Sequence, residues 1–386
     1  RASRSFAMAT PCRLCLLIWL GTRLFSSSKI DASSLLTMPR SGNGQVRKAG
    51  LRRTGGEPFT LAGKSIYFLV LDRFARSDER AEDYTFCNLT ADWTNNTGGG
   101  YCGGTIRGIT SKLDYIRGMG FDCIWITPPI DSNGYMGYDA VNLFRINPHF
   151  GTKEDLQQLS AGLHDRGMCL VVDIVLNHMR SLKVNGKLNI SSVVPFNDPI
   201  YYHQLGIKQD QSFEDYLLAG PPPAFDGNKD SRNLKQLVET GEASCGPETR
   251  EQTECACFPG NSGLSCPSYN PVQQVQGWFG SLGDLNHSHP YVRDQMLKYV
   301  IGLVEDYDVD AFRLDTAIYV DQHFVSEVQR EVGIEILGEA TVNNLTYQAQ
   351  LMRNAKGERV LTGLLNFPPF YQVPTAFCGF IMAGEF

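Results

Sequence analysis

Short apolar runs alternate with amphipathic stretches along the chain from Ser65 onward. The runs are rich in β-branched and aromatic residues, which favours buried strands. They predict six strands: Ile66–Leu71, Cys123–Ile126, Cys169–Val175, Ala311–Leu314, Ile334–Leu337 and Val360–Leu365. The stretches between them have helical spacing, which predicts helices over Ile109–Gly118, Lys153–Arg166, Tyr291–Tyr307 and Asp321–Val332. Strands that alternate with helices in this way indicate βα units around a parallel sheet.

One interval, from about Arg180 to Leu282, interrupts this alternation. It is rich in loop-forming residues and includes the run Pro221-Pro222-Pro223. A structureless stretch of this length is uncommon inside a compact domain. We therefore predict a small inserted subdomain after the third strand, held together by disulfides.

The start of the chain has a different pattern. Arg13 precedes a short apolar segment, Leu14–Leu20, which is well short of the ~20 residues that a membrane span needs. We predict a signal peptide or N-terminal extension over residues 1–30 and a linker or pro-segment over residues 31–62. A membrane association is not expected, although a signal anchor is the alternative for the apolar segment.

The composition adds size and charge to this picture. The 386 residues are 42% hydrophobic, which is enough for the core of one large domain or two ordinary ones. Thirty-five Lys and Arg against 41 Asp and Glu give a formal charge of −6, which argues against a nucleic-acid partner. This small negative net charge is compatible with an uncharged substrate.

Eleven cysteines are many for this chain. Six form two groups without a CxxC pair, which favours disulfides over a metal site: Cys87 with Cys102, and Cys245, Cys255, Cys257 and Cys266. Cys123 and Cys169 lie within apolar runs, and we expect them to be core residues. Sequons begin at Asn88, Asn95, Asn189, Asn286 and Asn344. Together these features predict a glycoprotein that is oxidised in the secretory pathway.

Two of the predicted strands end in residues that can carry out chemistry. Arg313 and Asp315 are two positions apart, and side chains two apart on a strand share a face. The guanidinium can keep that carboxylate ionised. Glu339 ends the next apolar run, and two carboxylates at neighbouring strand ends are what glycoside hydrolysis requires. The alternative is a structural ion pair and an unrelated surface glutamate.

Longer motifs surround these residues from Ser65 to about Phe377. They are Tyr67–Phe74, Tyr101–Thr105, Lys112–Phe121, Ile124–Pro128, Asp173–His178, Leu282–Asn286 and Leu364–Pro368. With them the chain resembles the α-amylase family of glycoside hydrolases, and most closely the fungal-type secreted α-amylases. The resemblance implies an α/β fold of the (β/α)8 TIM-barrel type. The barrel would comprise residues 63–179 and 283–386, with a disulfide-containing subdomain over residues 180–282 inserted after strand 3.

The resemblance implies roles around the substrate for three further residues. Asp173 would brace Arg313, His178 would hydrogen-bond the sugar, and Tyr138 would stack against a sugar ring. Without the resemblance, His178 would more simply be a satisfied histidine and Tyr138 a core residue.

The resemblance also implies a cofactor and a mechanism. Asn177 and Asp284 would bind a structural Ca²⁺ ion, which prefers oxygen ligands. Asp315 would be the nucleophile and Glu339 the general acid and base of a retaining hydrolysis. Glu339 must then start protonated, which requires partial burial. The implied activity is endo-hydrolysis of α-1,4-glucosidic bonds in starch or glycogen, and we expect a secreted monomer.

The sequence departs from the family pattern near the site. Met136 stands where the family usually has a sugar-binding histidine, and a thioether cannot replace that donor. Ile318-Tyr319 replaces a Lys-His pair that is common in fungal-type enzymes, so we expect the acceptor side of the cleft to bind differently. Asp139 follows Tyr138 in place of an aromatic residue.

A further departure concerns the end of the barrel. The family has a His-Asp motif after the seventh strand, which supplies a third carboxylate, and no His-Asp pair follows the sixth predicted strand here. We therefore expect about six βα units of a C-terminally truncated barrel. Two alternative functions stay open: a catalytically inactive glucan-binding or interaction protein, and a membrane-anchored accessory subunit of a transporter.

Overall fold

The computed structural model describes residues 59–77, 100–224, 271–341, 345–354, 357–367 and 369. All but the last belong to one compact unit, Ala49–Pro368. Several predicted features lie outside the described residues: the signal peptide, most of the linker, Cys87, Cys245, Cys255, Cys257, Cys266, and the sequons at Asn88, Asn95 and Asn344. Within the described part of the chain, no helix is both long and apolar enough to cross a membrane.

The described strands and helices follow one another in chain order. They are β1 (Ile66–Leu69), α1 (Leu71–Phe74), α2 (Ile106–Thr110), α3 (Leu113–Gly118), β2 (Cys123–Ile126), β3 (Ile130–Ser132), β4 (Ala140–Ile146), α4 (Lys153–His164), β5 (Cys169–Val175), β6 (His178–Ser181), β7 (Lys183–Val184), β8 (Lys187–Leu188), α5 (Phe213–Ala219), α6 (Pro271–Gln276), β9 (Leu282–Asp284), α7 (Pro290–Tyr307), β10 (Ala311–Asp315), α8 (Gln322–Val332), β11 (Glu335–Gly338), α9 (Leu345–Met352) and β12 (Gly363–Leu364). Short 3₁₀ turns occur at Pro199–Tyr201 and Ala317–Tyr319.

A parallel sheet of six strands organises these elements, in the order β1-β2-β5-β10-β11-β12. Each neighbouring pair is parallel. All six predicted strands are therefore confirmed, in a sheet whose strand order follows the chain order. Such a sheet is the expected form of part of a TIM barrel, because its strands are joined by helical crossovers and add in sequence.

Some predicted boundaries were wrong, for local reasons. The first strand ends at Leu69 because the chain turns into the short helix α1 at Leu71. The helix predicted over Ile109–Gly118 is two helices, α2 and α3. The Ser111 hydroxyl donates to the Gly108 carbonyl at 2.7 Å, a local bond of the kind that competes with regular helix geometry.

Strand β5 is buried at every position, as expected where a parallel sheet is covered on both faces. Its first residue, Cys169, pairs in register with Cys123 of β2, and the two are joined by a disulfide. The expectation that both cysteines lie in the core is confirmed. The disulfide between them was not predicted from the sequence. Cys102, from the first predicted group, is also disulfide-bonded.

The inserted segment begins and ends next to the carboxyl end of β5. Strand β6 pairs antiparallel with β9, so that His178 lies opposite Asp284. Between these strands, aromatic side chains pack around the fully buried Trp278, including Tyr202 and Phe213 at ring-centroid distances of 6.3 Å. The two ends of the inserted segment are thus fixed beside β5, the strand that carries Asp173.

Candidate active site

Arg313 is the centre of a cluster of three carboxylates. Its Nη1 donates to Asp315 Oδ1 at 2.8 Å and to Asp173 Oδ1 at 2.9 Å, and its Nη2 lies 2.9 Å from Glu339 Oε2. Asp173 and Arg313 are buried, and they are directly opposite each other in the β5–β10 register. The three acidic groups raise the pKa of the guanidinium above its usual value, so that Arg313 stays charged despite its burial.

Asp173 is fully buried on β5 and accepts several hydrogen bonds. Besides Arg313, the Tyr138 hydroxyl donates to its Oδ2 at 2.8 Å and the Trp125 indole Nε1 at 3.3 Å. Burial raises the pKa of Asp173 to about 7, and the neighbouring guanidinium offsets only part of that effect.

Glu339 lies just beyond the end of β11 and is only partly exposed. Its Oε2 accepts a hydrogen bond from the Thr316 backbone N–H at 3.0 Å. Burial raises the pKa of Glu339, and the negative charge of Asp315 raises it further, while Arg313 opposes both. The arrangement therefore pairs Asp315 with a neighbouring carboxyl group whose protonated form is favoured.

Tyr138 and His178 are the two residues implied as sugar contacts. Tyr138 is half-buried, its ring centroid is 5.9 Å from the Arg313 Cζ, and its hydroxyl is engaged by Asp173. His178 begins β6, and its Nε2 is buried without a hydrogen-bond partner among the described residues. Burial lowers the pKa of His178 to about 4, so the imidazole is neutral at pH 7 and can hydrogen-bond a neutral ligand.

The two residues implied as calcium ligands are brought together by the pairing of β6 with β9. Asn177 Oδ1 and Asp284 Oδ1 are both buried without a hydrogen-bond partner in the described part of the chain. Asp284 Oδ2 lies 2.6 Å from His203 Nδ1, and burial raises the Asp284 pKa well above its ordinary value. Buried, unpartnered oxygens of an amide and a carboxylate fit a hard cation. Among the described residues, no group of three or more His, Cys, Asp or Glu side chains is arranged to hold a metal.

Comparison with known proteins agrees with this geometry. The α-amylase catalytic domain model matches residues 68–242. "Alpha-amylase 2" of Schwanniomyces occidentalis is 30% identical over 368 residues, which cover 93% of this chain and 57% of that protein. An α-amylase of Saccharomycopsis fibuligera is 30% identical over 316 residues, 80% of this chain and 50% of that protein. Residues 68–242 therefore match the α-amylase catalytic domain, and the chain is similar to fungal α-amylases over most of its length.

Solved α-amylase structures share the architecture. The enzyme of Malbranchea cinnamomea is 29% identical with a TM-score of 0.54, and the comparison covers 81% of this chain and 54% of that one. The enzyme of Geobacillus thermoleovorans, solved with acarbose, is 25% identical with a TM-score of 0.54, covering 81% and 53%. The chain spans about half the length of the curated relatives that it matches.

The departures from the α-amylase pattern lie close to the site. Met136 is half-buried and directly precedes Gly137, which has a positive φ of 87°. Ile318 and Tyr319 are buried rather than offered to the cleft as a charged pair, and Tyr319 packs 5.7 Å from the Phe279 ring. Buried apolar and aromatic side chains therefore occupy the positions at which fungal-type sequences commonly have a Lys-His pair.

Two site residues were missed by the sequence analysis. Trp125 lies on β2 and pairs with Val171, which is two residues before Asp173 on β5. The sequence did offer a signal, because Trp125 is two positions after Cys123 and the two side chains therefore share a face of the strand. Thr316 contributes a backbone N–H, which no side-chain pattern can reveal. Its left-handed backbone, with φ 49°, is unusual for a β-branched residue.

Proposed function

We propose that the protein is an α-amylase-type glycoside hydrolase that cleaves internal α-1,4-glucosidic bonds of starch or glycogen with retention of configuration. One observation carries the proposal: the Arg313 guanidinium contacts Asp315 and Glu339 at once, at 2.8 and 2.9 Å. The match to the α-amylase catalytic domain and the named α-amylase relatives support the same activity.

In the first step, Glu339 protonates the glycosidic oxygen while an Asp315 oxygen attacks the anomeric carbon. The leaving glucan departs with the proton, and a covalent glycosyl-enzyme forms. In the second step, Glu339 takes a proton from water, which attacks the same carbon and frees Asp315. Arg313 donates a hydrogen bond to Asp315 at 2.8 Å, and burial together with the nearby Asp315 charge raises the pKa of Glu339, which favours the protonated form that the first step uses.

The glucan is held by neutral contacts in this proposal. Tyr138 offers an aromatic face beside the cluster, and the neutral imidazole of His178 supplies an unpartnered nitrogen. Neither group carries a charge at pH 7, which suits an uncharged polysaccharide.

A structural Ca²⁺ ion forms part of the proposal. Asn177 and Asp284 would hold it through their unpartnered buried oxygens. The ion would tie β6 to β9 and so fix the two ends of the inserted segment beside β5.

The proposal includes secretion as a monomeric glycoprotein. The Cys123–Cys169 bond and the disulfide-bonded state of Cys102 support an oxidising compartment. Two sequons, Asn189 and Asn286, lie within the described residues, and both asparagines are half-buried. A mobility shift on N-glycosidase treatment of protein from a secretory host, together with light scattering, tests this part.

The decisive experiment is hydrolysis of soluble starch by the full-length protein, with and without calcium. Endo-cleavage predicts rapid loss of iodine staining and a slower rise in reducing ends, and NMR of fresh products should show the α-anomer. Absence of reducing sugar under both conditions rejects the hydrolase. Retarded migration in glycogen gels without hydrolysis would instead indicate a glucan-binding protein.

A further inference from the structure

Trp125, on β2, contacts both members of the buried Asp173–Arg313 pair. Its indole Nε1 donates to Asp173 Oδ2 at 3.3 Å. Its ring centroid is 5.5 Å from the Arg313 Cζ, within the range of a cation–π interaction. The ring also packs against Phe68, with 4.3 Å between the ring centroids. One aromatic side chain thus touches the anion and the cation on which the catalytic carboxylates depend.

The hydrogen bonds to Asp173 are distributed unevenly over its two oxygens. Oδ2 accepts from the Trp125 indole, from the Tyr138 hydroxyl at 2.8 Å and from Arg313 Nη1 at 3.0 Å, whereas the Oδ1 contact is with Arg313 Nη1 at 2.9 Å. The terminal torsion of an aspartate is soft, so a carboxylate does not fix its own plane. The Trp125 indole and the Tyr138 hydroxyl both donate to Oδ2, so together they restrain the plane of the carboxylate.

The orientation of Asp173 matters because Arg313 Nη1 is shared. The same nitrogen that donates to Asp173 also donates to Asp315 Oδ1 at 2.8 Å. A rotation of the Asp173 carboxylate would pull Nη1 away from Asp315 and move Nη2 relative to Glu339. Displacements of this kind are costly where reacting groups must be aligned.

We propose that Trp125 is a positioning residue of the active site, whose N–H and ring hold Asp173 and Arg313 in the orientation that lets one guanidinium serve both catalytic carboxylates. The kinetic consequence rests on the proposed hydrolase function, whereas the coupling of Trp125 to Asp173 rests on the geometry alone. Trp125 acts through Asp173 and Arg313 in this role.

The coupling makes the Trp125 indole a reporter of the charge on Asp173. Burial raises the pKa of that carboxyl to about 7, so its charge changes in an accessible pH range. The charged and titratable groups facing it are Arg313 and Asp315 on β10, Glu339 after β11, Tyr138, and Tyr299 of α7. Since the indole donates to the charged form, its removal should raise the Asp173 pKa further.

The first test measures Trp125 without requiring turnover. In ¹⁵N–¹H spectra, the Trp125 indole signal is identified as the one that is missing in Trp125→Phe. In the wild type, its chemical shift should change with pH, with a midpoint near pH 7. The shift should vanish in Asp173→Asn. If Asp173→Asn does not fold, Tyr138→Phe provides a second measurement. It removes another hydrogen-bond donor to Asp173, so the pH midpoint of the indole shift should move upward. The inference is overturned if the indole chemical shift does not change with pH, or if its pH midpoint is the same in Tyr138→Phe as in the wild type.

The second test is kinetic and uses the full-length enzyme on a maltooligosaccharide. Trp125→Phe keeps a ring and removes the N–H, so kcat should fall roughly tenfold, the effect of one hydrogen bond to a charged group, with KM changed less than about twofold. The acidic limb of the kcat profile should move to higher pH. Trp278→Phe is the matched control, since its indole donates to the His203 carbonyl at 3.1 Å, and its pH profile should stay in place.

The two tests separate the possible failures. A wild-type enzyme without turnover refutes the proposed hydrolase, while the spectra still decide whether Trp125 is coupled to Asp173. An active enzyme whose Trp125→Phe variant keeps the wild-type kcat and pH profile refutes the positioning role.

Discussion

The carboxylate of Glu339 accepts a hydrogen bond at 3.0 Å from the backbone N–H of Thr316, the residue directly after Asp315. Thr316 adopts a left-handed backbone at the end of β10, with φ 49° and ψ 37°. The same Glu339 oxygen lies 2.9 Å from Arg313 Nη2. The end of β10 therefore positions Glu339 after β11, so the proposed acid and the proposed nucleophile are held by the same few residues.

Asp315→Asn and Glu339→Gln should each abolish most of the turnover. The first removes the attacking oxygen's charge, and the second removes the proton donor and general base. We expect kcat on starch to fall by at least ~10³-fold in each variant, within the range for loss of acid–base or nucleophilic groups. Initial rates of reducing-sugar release measure the effect.

Glu331→Gln is a matched control for these substitutions. Glu331 lies on α8 and its ion pair with Arg330, at 3.1 Å, is largely exposed. Such pairs contribute little. Unchanged rates for Glu331→Gln together with unchanged rates for Glu339→Gln would show that the acid has been misassigned.

The pKa of Glu339 should fall in Asp315→Asn. Burial and the Asp315 charge both raise this pKa in the wild type, so removal of the charge lowers it. Titration of the Glu339 side chain by ¹³C NMR checks the direction without any need for activity. In the active enzyme, the protonated form is the acid, so kcat/KM should fall as the pH rises through the Glu339 pKa. A pKa that stays constant in the variant would contradict the observed proximity.

Calcium should stabilise the wild type but not variants of its proposed ligands. An ion that binds only the folded state at a hundred times its Kd contributes about 2.7 kcal/mol, which is a measurable rise in Tm. Asn177→Ala and Asp284→Asn should lose most of this rise. Asp308→Asn is the control, because Asp308 is largely exposed in a left-handed conformation that asparagine tolerates. Equal Tm rises in all variants would place the ion elsewhere.

Gly104→Ala should destabilise the fold, whereas Gly118→Ala should not. A Cβ at Gly104 would lie 2.1 Å from the Leu71 carbonyl oxygen and 2.3 Å from the Asp72 carbonyl carbon, both backbone atoms. Overpacking against a fixed backbone costs about 1–3 kcal/mol or more. A Cβ at Gly118, on α3, meets nothing within 4 Å and should stabilise by about 0.4–1 kcal/mol. Urea unfolding midpoints of the two variants test the contrast.

Much of the fold could be predicted from local pattern. The six strands are short apolar runs, and their order in the sheet follows from successive βα units. Boundaries were less predictable where a side chain competes with the backbone, as Ser111 does between α2 and α3. The Cys123–Cys169 bond could not be inferred, because it depends on which residues of β2 and β5 are in register.

The sequence by itself determined the strand-end carboxylates, the arginine two positions before Asp315 and the similarity to α-amylases. Tertiary structure alone decided that one guanidinium contacts Asp173, Asp315 and Glu339, since Asp173 and Arg313 are separated by 140 positions and meet through strand register. It also decided the burial that raises the pKa of Glu339 and the contact of Trp125 with Asp173. Burial and hydrogen bonding between distant strands depend on packing, and no local pattern encodes them.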